Sequence, residues 1–491
     1  MTKFDPRKYE KTIKLIFLKA VNDLFPNSKV LIEHSLNNGV YGEIQRKDNE
    51  EITEEELLKV TARMREIIEE NYPINLVVND CEKLKLTSHD IKREDVRMLI
   101  DNSGLINIYE YEIDSYHDYI YGKPYNSTGD VDLFHLSKYN GGFILKYPIK
   151  NIDEIPIEID NPKMAKVFQE TGQWERILGV STIGYLNEKI LKSKAEIGEL
   201  IRINEALHHK NIAKIAGEIT DNREIKLITI AGPSSSGKTT FSKRLYIHLK
   251  ANEVNPIIIS LDNYYIGRNN VPLDEEGNKD FETIEALDLD LLNQNLRDLI
   301  AGKEVEIPRY NFVTGNREAT GEMMRMPENG LIIIEGIHGL NERLSFEIPK
   351  KNKYKIYISC LTQLNIDNHN RIGTSDVRLI RRLTRDSMSR ATHVEDTLDM
   401  WKSVRRGEEK YIFPFQEEAD IIFNSNLVYE LGVLKSYASK ELIKVKINSP
   451  YYKEAKRLLQ LLNCFLDIDS RLVPDDSILK EFIGDSIFYR Y

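Results

Sequence analysis

Eight consecutive residues near the middle of the chain, Gly232, Pro233, Ser234, Ser235, Ser236, Gly237, Lys238 and Thr239, read G-x-x-x-x-G-K-[ST]. That spacing suits the holding of a polyphosphate chain. The glycines permit a backbone curl whose N–H groups converge on an anion, and a helix starting near Lys238 adds the positive end of its dipole. Lys238 reaches the terminal phosphates, and the Thr239 hydroxyl ligates Mg²⁺. Thr240 completes the expected ATP-binding stretch. By itself the motif does not separate kinases from GTPases or motor ATPases.

Two carboxylates follow at positions where chemistry is expected. Asp262 comes just after the apolar run Ile257-Ile258-Ile259, where it can accept the proton of an attacking hydroxyl; a turn or helix-cap aspartate is the alternative. Glu335 follows Leu331-Ile332-Ile333-Ile334, a pattern that holds Mg²⁺ directly or through water, unless the acid caps a helix or pairs with a base. Arg378, Arg381, Arg382 and Arg385 recur at i, i+3, i+4 and i+7. This spacing stacks four guanidiniums on one helix face, suited to bidentate phosphate contact or to a salt-bridged surface. Arg390 lies just beyond. Arg405 and Arg406 fit phosphate contact or domain packing equally well. The adjacent His208 and His209 point in different directions on a helix and are expected at the surface.

The elements that must position these groups alternate. Ile225 to Ala231, Pro256 to Ser260, Gly330 to Ile334 and Lys355 to Ser359 read as strands. Helical patterns cover Thr239 to Lys250, Leu287 to Ala301 and the segment from Asp376. Such alternation implies βαβ crossovers and a parallel sheet. Before it, Tyr9 to Phe25 and Ile52 to Glu70 read as helices, the second opening on a capping box at Thr53. Val30 to Glu43 reads as strands around Asn37-Asn38-Gly39, and residues 103 to 149 as short strands. A boundary falls at Ile152 to Pro162, and a helical connector spans Ser193 to Ile219. The tail after residue 446 reads as two helical pieces around Pro474. The division expected is 1–150, a linker and connector over 151–222, an α/β P-loop domain over 223–445, and a C-terminal helical tail over 446–491.

Composition bounds the function. A length of 491 residues suggests several domains. With 41% hydrophobic and 30% charged residues the chain is of ordinary globular type. A formal net charge of -10 disfavours a protein built to coat nucleic acid. Cys81, Cys360 and Cys464 show no CxxC spacing, so they read as thiols in a reducing compartment rather than a metal site. The charged N-terminus has no apolar signal core, and no apolar run is long enough to span a membrane. A cytoplasmic protein is expected; homo-oligomerisation stays open.

Six pieces in order, GPSSSGKTTFSKRL, SLDNYY, DFETIEALDLDLL, IPRYNFVTGNR, LIIIEGIHGL and DVRLIRRLTRD, resemble the uridine kinase and phosphoribulokinase family of P-loop kinases over about residues 225 to 430. The resemblance implies an ATP- and Mg²⁺-dependent kinase acting on a small hydroxyl-bearing acceptor, foremost a nucleoside. Asp262 would be the base, and Lys238, Arg382 and Arg385 would hold the transferred phosphoryl group, with Arg390 beside them or on the acceptor. Tyr265 and Tyr310 would line the acceptor pocket, and Glu282 would take the ribose hydroxyls. Uridine–cytidine kinases of the family read the base with a histidine, an arginine and a glutamine; here those positions hold Gly315 and fall near Thr392 and Met400. A weak preference for uridine is therefore expected. A sugar phosphate or other small alcohol is the alternative acceptor.

The N-terminal third is similar to something else. LKAVNDLFP, HSLNNGVYGEI, ITEEELLKVTARMREII and GKPYNSTGDV resemble the α+β second additional domain of threonyl-tRNA synthetases, an editing module. The module's metal-ligand positions hold Lys11, Leu15, Ile120 and Pro124, so neither zinc nor editing chemistry is expected. A kinase joined to such a module resembles the bacterial uridine kinase-like nucleoside kinases. It also keeps open a tRNA-associated, ATP-driven regulatory role.

Overall fold

The structure, a computed structural model, describes residues 4–47, 50–78, 80–81, 93–105, 108–157, 159–311, 314–362, 364–390 and 392–488. Residues 106 and 107, in the segment expected as short strands, and Phe312 and Val313 of the IPRYNFVTGNR piece lie outside the described residues. The chain forms two compact units. The first comprises Met1–Ile197 with Thr362–Gly373 and Gln460–Leu466, and the second comprises Gly198–Leu361, Thr374–Leu459 and Asp467–Tyr491. No described helix is long and apolar enough to cross a membrane.

The first unit begins with helix α1 (Pro6–Leu24), whose N-terminus is capped by the Asp5 carboxylate accepting from the Arg7 and Lys8 amides. Strands β1 (Lys29–Leu36) and β2 (Gly39–Gln45) form a hairpin. Asn37 and Asn38 both have positive φ, 51° and 60°, the conformation a tight two-residue hairpin turn demands. Helix α2 (Glu54–Glu70) carries the expected Thr53–Glu56 capping box. Strands β3 (Ile74–Val78), β4 (Glu110–Ile113) and β5 (Tyr116–Tyr119) make one small antiparallel sheet. Strands β6 (His135–Tyr139) and β7 (Gly142–Lys146) complete the other, in the order β1-β2-β7-β6. Leu15 and Ile120 are fully buried among Ile13, Phe17, Ile67 and Phe143. Both side chains are thus part of the apolar core of this unit.

The excursion Thr362–Gly373 is bound into this unit by polar contacts. Arg93 reaches Asp95 at 2.9 Å, Asp118 at 2.7 Å and Asp367 at 3.0 Å. His369 meets Asp118 at 2.6 Å, and the Ile32 amide donates to the Asn368 carbonyl at 2.7 Å. Helices α3 (Glu94–Asp101), α4 (Pro162–Leu178) and α5 (Ile183–Lys192) complete the unit, and α6 (Lys194–Asp221) runs on into the second.

The second unit is built on five parallel strands: β8 (Leu227–Ala231), β9 (Asn255–Ser260), β14 (Gly330–Glu335), β15 (Lys353–Ser359) and β16 (Ile421–Asn424). Their order is β16-β15-β8-β14-β9. The α/β, P-loop-type parallel sheet read from the sequence is the observed architecture. β8 is buried at every position, as expected for a central strand covered on both faces. Four short strands, β10 (Glu304–Ile307), β11 (Tyr310–Asn311), β12 (Asn316–Arg317) and β13 (Glu322–Arg325), form two hairpin-like pairs beside the sheet. Helices α7 (Lys238–Ala251), α8 (Leu289–Ile300), α9 (Thr374–Ser389), α10 (Val394–Tyr411) and α11 (Glu430–Leu442) follow, with α12 (Tyr452–Asn463) and the short α13 (Lys480–Ile483) in the tail.

Two expectations need correction. His208 is not at the surface: it is buried, with its Nε2 3.1 Å from the Asn426 carbonyl and its ring edge-on to Phe423. His209 is half-buried, 3.1 Å from Asp476. The four arginines of α9 do not act as one phosphate-facing row. Arg378 and Arg381 are buried. Arg378 is paired in bidentate fashion with Glu408, its Nη2 at 2.8 Å, and Arg381 donates from Nε to Glu430 at 2.8 Å. The helix turns two of its arginines inward because acids from α10 and α11 are there to receive them.

Removing one partner of a fully buried ion pair strands the other charge. Glu430→Ala, which leaves Arg381 unpaired in the core, should destabilise the second unit by about 3–5 kcal/mol. Glu224→Ala, which breaks the exposed pair with Lys351, should cost no more than about 1 kcal/mol. Urea denaturation of the two variants checks the contrast.

Candidate active site

The loop from Gly232 to Gly237 leaves the end of β8 and enters α7, so that Lys238 and Thr239 sit in the helix's first turn. Gly237 has φ +87°, and a Cβ there would lie 2.5 Å from Ile478. At Gly232 a Cβ would meet the Ile358 carbonyl at 2.0 Å. Both glycines are therefore required, one by conformation and contact, the other by close approach to β15. The loop is gripped from behind. Arg378 donates to the Ser234 carbonyl at 3.1 Å and Arg381 to the Ser235 carbonyl at 3.3 Å. Glu408 accepts from the Ser234 amide at 3.0 Å.

Within the loop, the Ser235 and Ser236 hydroxyls are buried without a hydrogen-bond partner. Lys238 Nζ rests on the carbonyls of Gly232 and Pro233, at 2.8 and 3.1 Å. Arg382 reaches the Ser234 hydroxyl at 3.1 Å. The buried carboxylate of Asp386 gathers Arg382, Arg390 and Arg385, at 3.3, 3.4 and 3.7 Å. Arg385 Nε has no hydrogen-bond partner. Asp386 thus holds the three guanidiniums together without saturating them.

The strand order places Glu335, at the end of β14, between Lys238, after β8, and Asp262, after β9. All three stand at the carboxyl edge of the sheet, where open α/β sheets bind ligands. Glu335 hydrogen-bonds Thr239, and burial followed by the Glu481 charge pushes its pKa up to about 7. Its Oε2 is buried without a partner. An orphaned carboxylate oxygen beside a threonine hydroxyl fits a Mg²⁺ ion that takes most of its other ligands from phosphates and water. Asp262 opens to solvent on one side while dense protein surrounds the rest. That desolvation raises its pKa, opposed by Lys238 and Arg390. Desolvation lowers the pKa of Lys238 in turn, opposed by Glu335, Glu481 and Asp262.

The surroundings of the acceptor-pocket candidates are aromatic and acidic. Tyr265 and Tyr310 stand 5.6 Å apart, centroid to centroid, and Tyr265 donates to the Phe281 carbonyl at 3.1 Å. Burial, then the Glu408 charge, raises Glu282 to about 7, against the pull of Arg382. Gly315 has φ +71°, and Arg268 packs where its Cβ would be, 2.8 Å away. A histidine at that position would be both strained and crowded out.

Over residues 227–430 the chain matches the model of the phosphoribulokinase / uridine kinase family. It is 30% identical over 197 residues to uridine kinases of Staphylococcus aureus strains JH9 and Newman, an alignment covering 40% of this chain and 86% of each relative. The chain belongs to the phosphoribulokinase/uridine kinase family. A solved structure from Bacillus stearothermophilus, "a Possible Uridine Kinase", is 19% identical, with a TM-score of 0.26, over 41% of this chain and 89% of that one.

Within this family member the structure brings together the P-loop, Asp262, Glu335, Arg382, Arg385 and Arg390. Thr240 is the exception among the nucleotide-binding candidates. Its amide and hydroxyl both donate to Glu481, at 3.3 and 2.9 Å. Glu481 also lies 3.9 Å from Arg385. Sequence reasoning missed this residue because it lies in the tail, 241 positions from its partner, in no motif. Asp386 was visible only as an acid among arginines. Arg405 and Arg406 are taken by acids, Arg405 by Glu408 at 3.0 Å and Arg406 by Glu276 and Asp274.

If Glu335 and Glu282 take the cation and the hydroxyl donors expected of them, both must be ionised, and protonation near 7 should give kcat/KM an acidic limb there. The linkage to folding runs the other way. Because their folded pKa values lie above the ordinary 4.5, the stability they contribute is complete below about 4.5 and lost as pH rises through about 7. Glu481→Gln removes the largest charge effect on Glu335 and should move the limb to lower pH, as read from kcat/KM between pH 5.5 and 8.5.

Proposed function

We propose that the chain transfers the γ-phosphoryl group of ATP to the hydroxyl of a small neutral acceptor, most naturally the 5′-hydroxyl of a nucleoside. The observation that carries this is the convergence of Lys238, Asp262 and Glu335 at one sheet edge, beside the paired rings of Tyr265 and Tyr310. The acceptor oxygen forms a bond to the γ-phosphorus while the bond to the β–γ bridging oxygen breaks and ADP leaves. Asp262 takes the hydroxyl proton, and its raised pKa suits a base working near neutrality. Lys238 and the arginines gathered on Asp386 stand where negative charge spreads over the transferring group. Mg²⁺, held by Thr239 and Glu335, supplies neutralisation of the phosphate oxygens when bound. Asp280 and Glu282 beside Tyr265 and Tyr310 favour a neutral, hydroxylated acceptor over a sugar phosphate, which those carboxylates would repel.

For the N-terminal unit we propose a regulatory or scaffolding part, as a degenerate synthetase-like module in a cytoplasmic protein.

Asp262→Asn preserves shape while removing the base, and should lower kcat by about 10²–10⁴ while leaving ATP affinity nearly unchanged. Retention of a third of wild-type kcat would assign the base elsewhere. Lys238→Ala should lose about 3 kcal/mol or more of transition-state stabilisation in a folded protein.

The acceptor is tested by kcat/KM across a nucleoside panel. With glycine at position 315, uridine should show no strong advantage over thymidine or purine nucleosides, and the sugar should still be required. A uridine value more than about 100-fold above all others would mean that other residues rebuild a uracil-specific site.

A further inference from the structure

The first unit contains a cavity of about 650 Å³ that the kinase chemistry does not use. Every residue lining it belongs to that unit, and its size falls within the range of small-molecule sites. One wall is a stack of rings: His34 lies against Phe168 at 3.5 Å with planes 12° apart, and against Tyr41 at 5.0 Å. Tyr139 and Tyr185 add two further rings to the lining.

Three lining residues carry buried polar atoms without a hydrogen-bond partner: Thr182 Oγ1, Asn365 Oδ1 and His34 Nδ1. These residues are 2%, 8% and 6% exposed. Leaving such atoms unsatisfied in a folded protein is costly, so three at one cavity point to an occupant. Their chemistry restricts it. Asn365 Oδ1 only accepts; its amide nitrogen already donates to the Ile32 carbonyl at 3.2 Å. Desolvation holds His34 near a pKa of about 3, so the ring is neutral and its free nitrogen can accept; the nearest acid, Glu33, is 3.7 Å away. Thr182 stands at the N-cap of α5, yet its side chain makes no capping bond.

The charged lining is acidic. Glu33, Glu43 and Asp367 face a single cation among the lining residues, Lys29. Asp367 is shared with Arg93, while Glu43 accepts from Tyr41 and Gln45 at 3.3 and 3.2 Å. An acceptor-rich, acidic and aromatic cavity repels phosphates and suits a donor-bearing cation, which gains both hydrogen bonds and ring-face attraction.

We propose that this cavity is a binding site for a small organic amine in its protonated form, distinct from the nucleotide and acceptor sites of the second unit. The amine nitrogen donates to Asn365 Oδ1, Thr182 Oγ1 and the carboxylates, and its carbon body lies on the His34–Tyr41–Phe168 stack.

Isothermal titration of the full chain with tyramine, an aromatic amine, and with spermidine, a flexible polyamine, tests the site. At least one should bind more tightly than about 1 mM, with uridine monophosphate failing to compete. Thr182→Val removes only an unsatisfied hydroxyl, so its Tm should hold or rise. Thr182→Val and Glu43→Gln should each weaken amine binding by about ten-fold while leaving the affinity for a non-hydrolysable ATP analogue unchanged. Absence of binding by both amines at about 10 mM, binding unaltered in both variants, or displacement of the bound amine by uridine monophosphate would each overturn the proposal.

Discussion

The second unit depends on two arginines that never meet solvent. Arg378 and Arg381 leave α9, pair with Glu408 and Glu430, and end on the carbonyls of Ser234 and Ser235. The curl of the phosphate loop leaves the Ser234 and Ser235 carbonyls turned toward Arg378 and Arg381 and in need of donors. Guanidinium forks supply several fixed donors each, and the two glutamates neutralise them in a dry environment. The same helix then presents Arg382 and Arg385 to the open side of the loop. Its inner face fixes the loop's curvature, and its outer face offers charge to whatever the loop holds.

At the carboxyl edge of the sheet, buried acids and bases are crowded together. Glu335, Glu481 and Asp262 all act on Lys238, with Arg385 opposing them. Burial raises Glu335 and Asp262 because dry surroundings disfavour their charge. A divalent cation would relieve the repulsion between Glu335 and Glu481, and a polyphosphate would meet the arginines gathered on Asp386, so the electrostatics favour arrival of the two together. The Glu481 carboxylate on Thr240 adds a competing anion beside the loop, delivered by a tail whose Ser477 is anchored to Glu205 at 2.5 Å.

What could be read from the sequence was what is local. The loop motif, the apolar strands ending in Asp262 and Glu335, the capping box at Thr53 and the turn at Asn37-Asn38 each depend on a few adjacent residues, and each is found as expected. The α9 arginines show the limit. Their spacing gives a helical face but not the neighbours that receive it, and only Glu408 and Glu430, 30 and 49 residues away, decide which two turn inward. His208 failed for the same reason, since Asn426 and Phe423 lie more than 200 positions distant. Glu481 and the cavity in the first unit have no local signature at all; each is assembled from segments that meet only after folding.

The excursion Thr362–Gly373 bears on how such a protein can be taken apart. The chain leaves the parallel sheet after β15, supplies a dozen residues to the other unit and returns directly into α9 with its four arginines. Neither unit is therefore a continuous stretch of gene. A truncation that begins at residue 198 keeps every catalytic candidate but deprives Asp367, His369 and Asn370 of Arg93, Asp118 and Tyr119, their partners in the N-terminal part. Recombination that exchanged either half for an unrelated module would leave a polar strap without its socket. An expression fragment meant to isolate the second unit would need those twelve residues redesigned rather than merely retained.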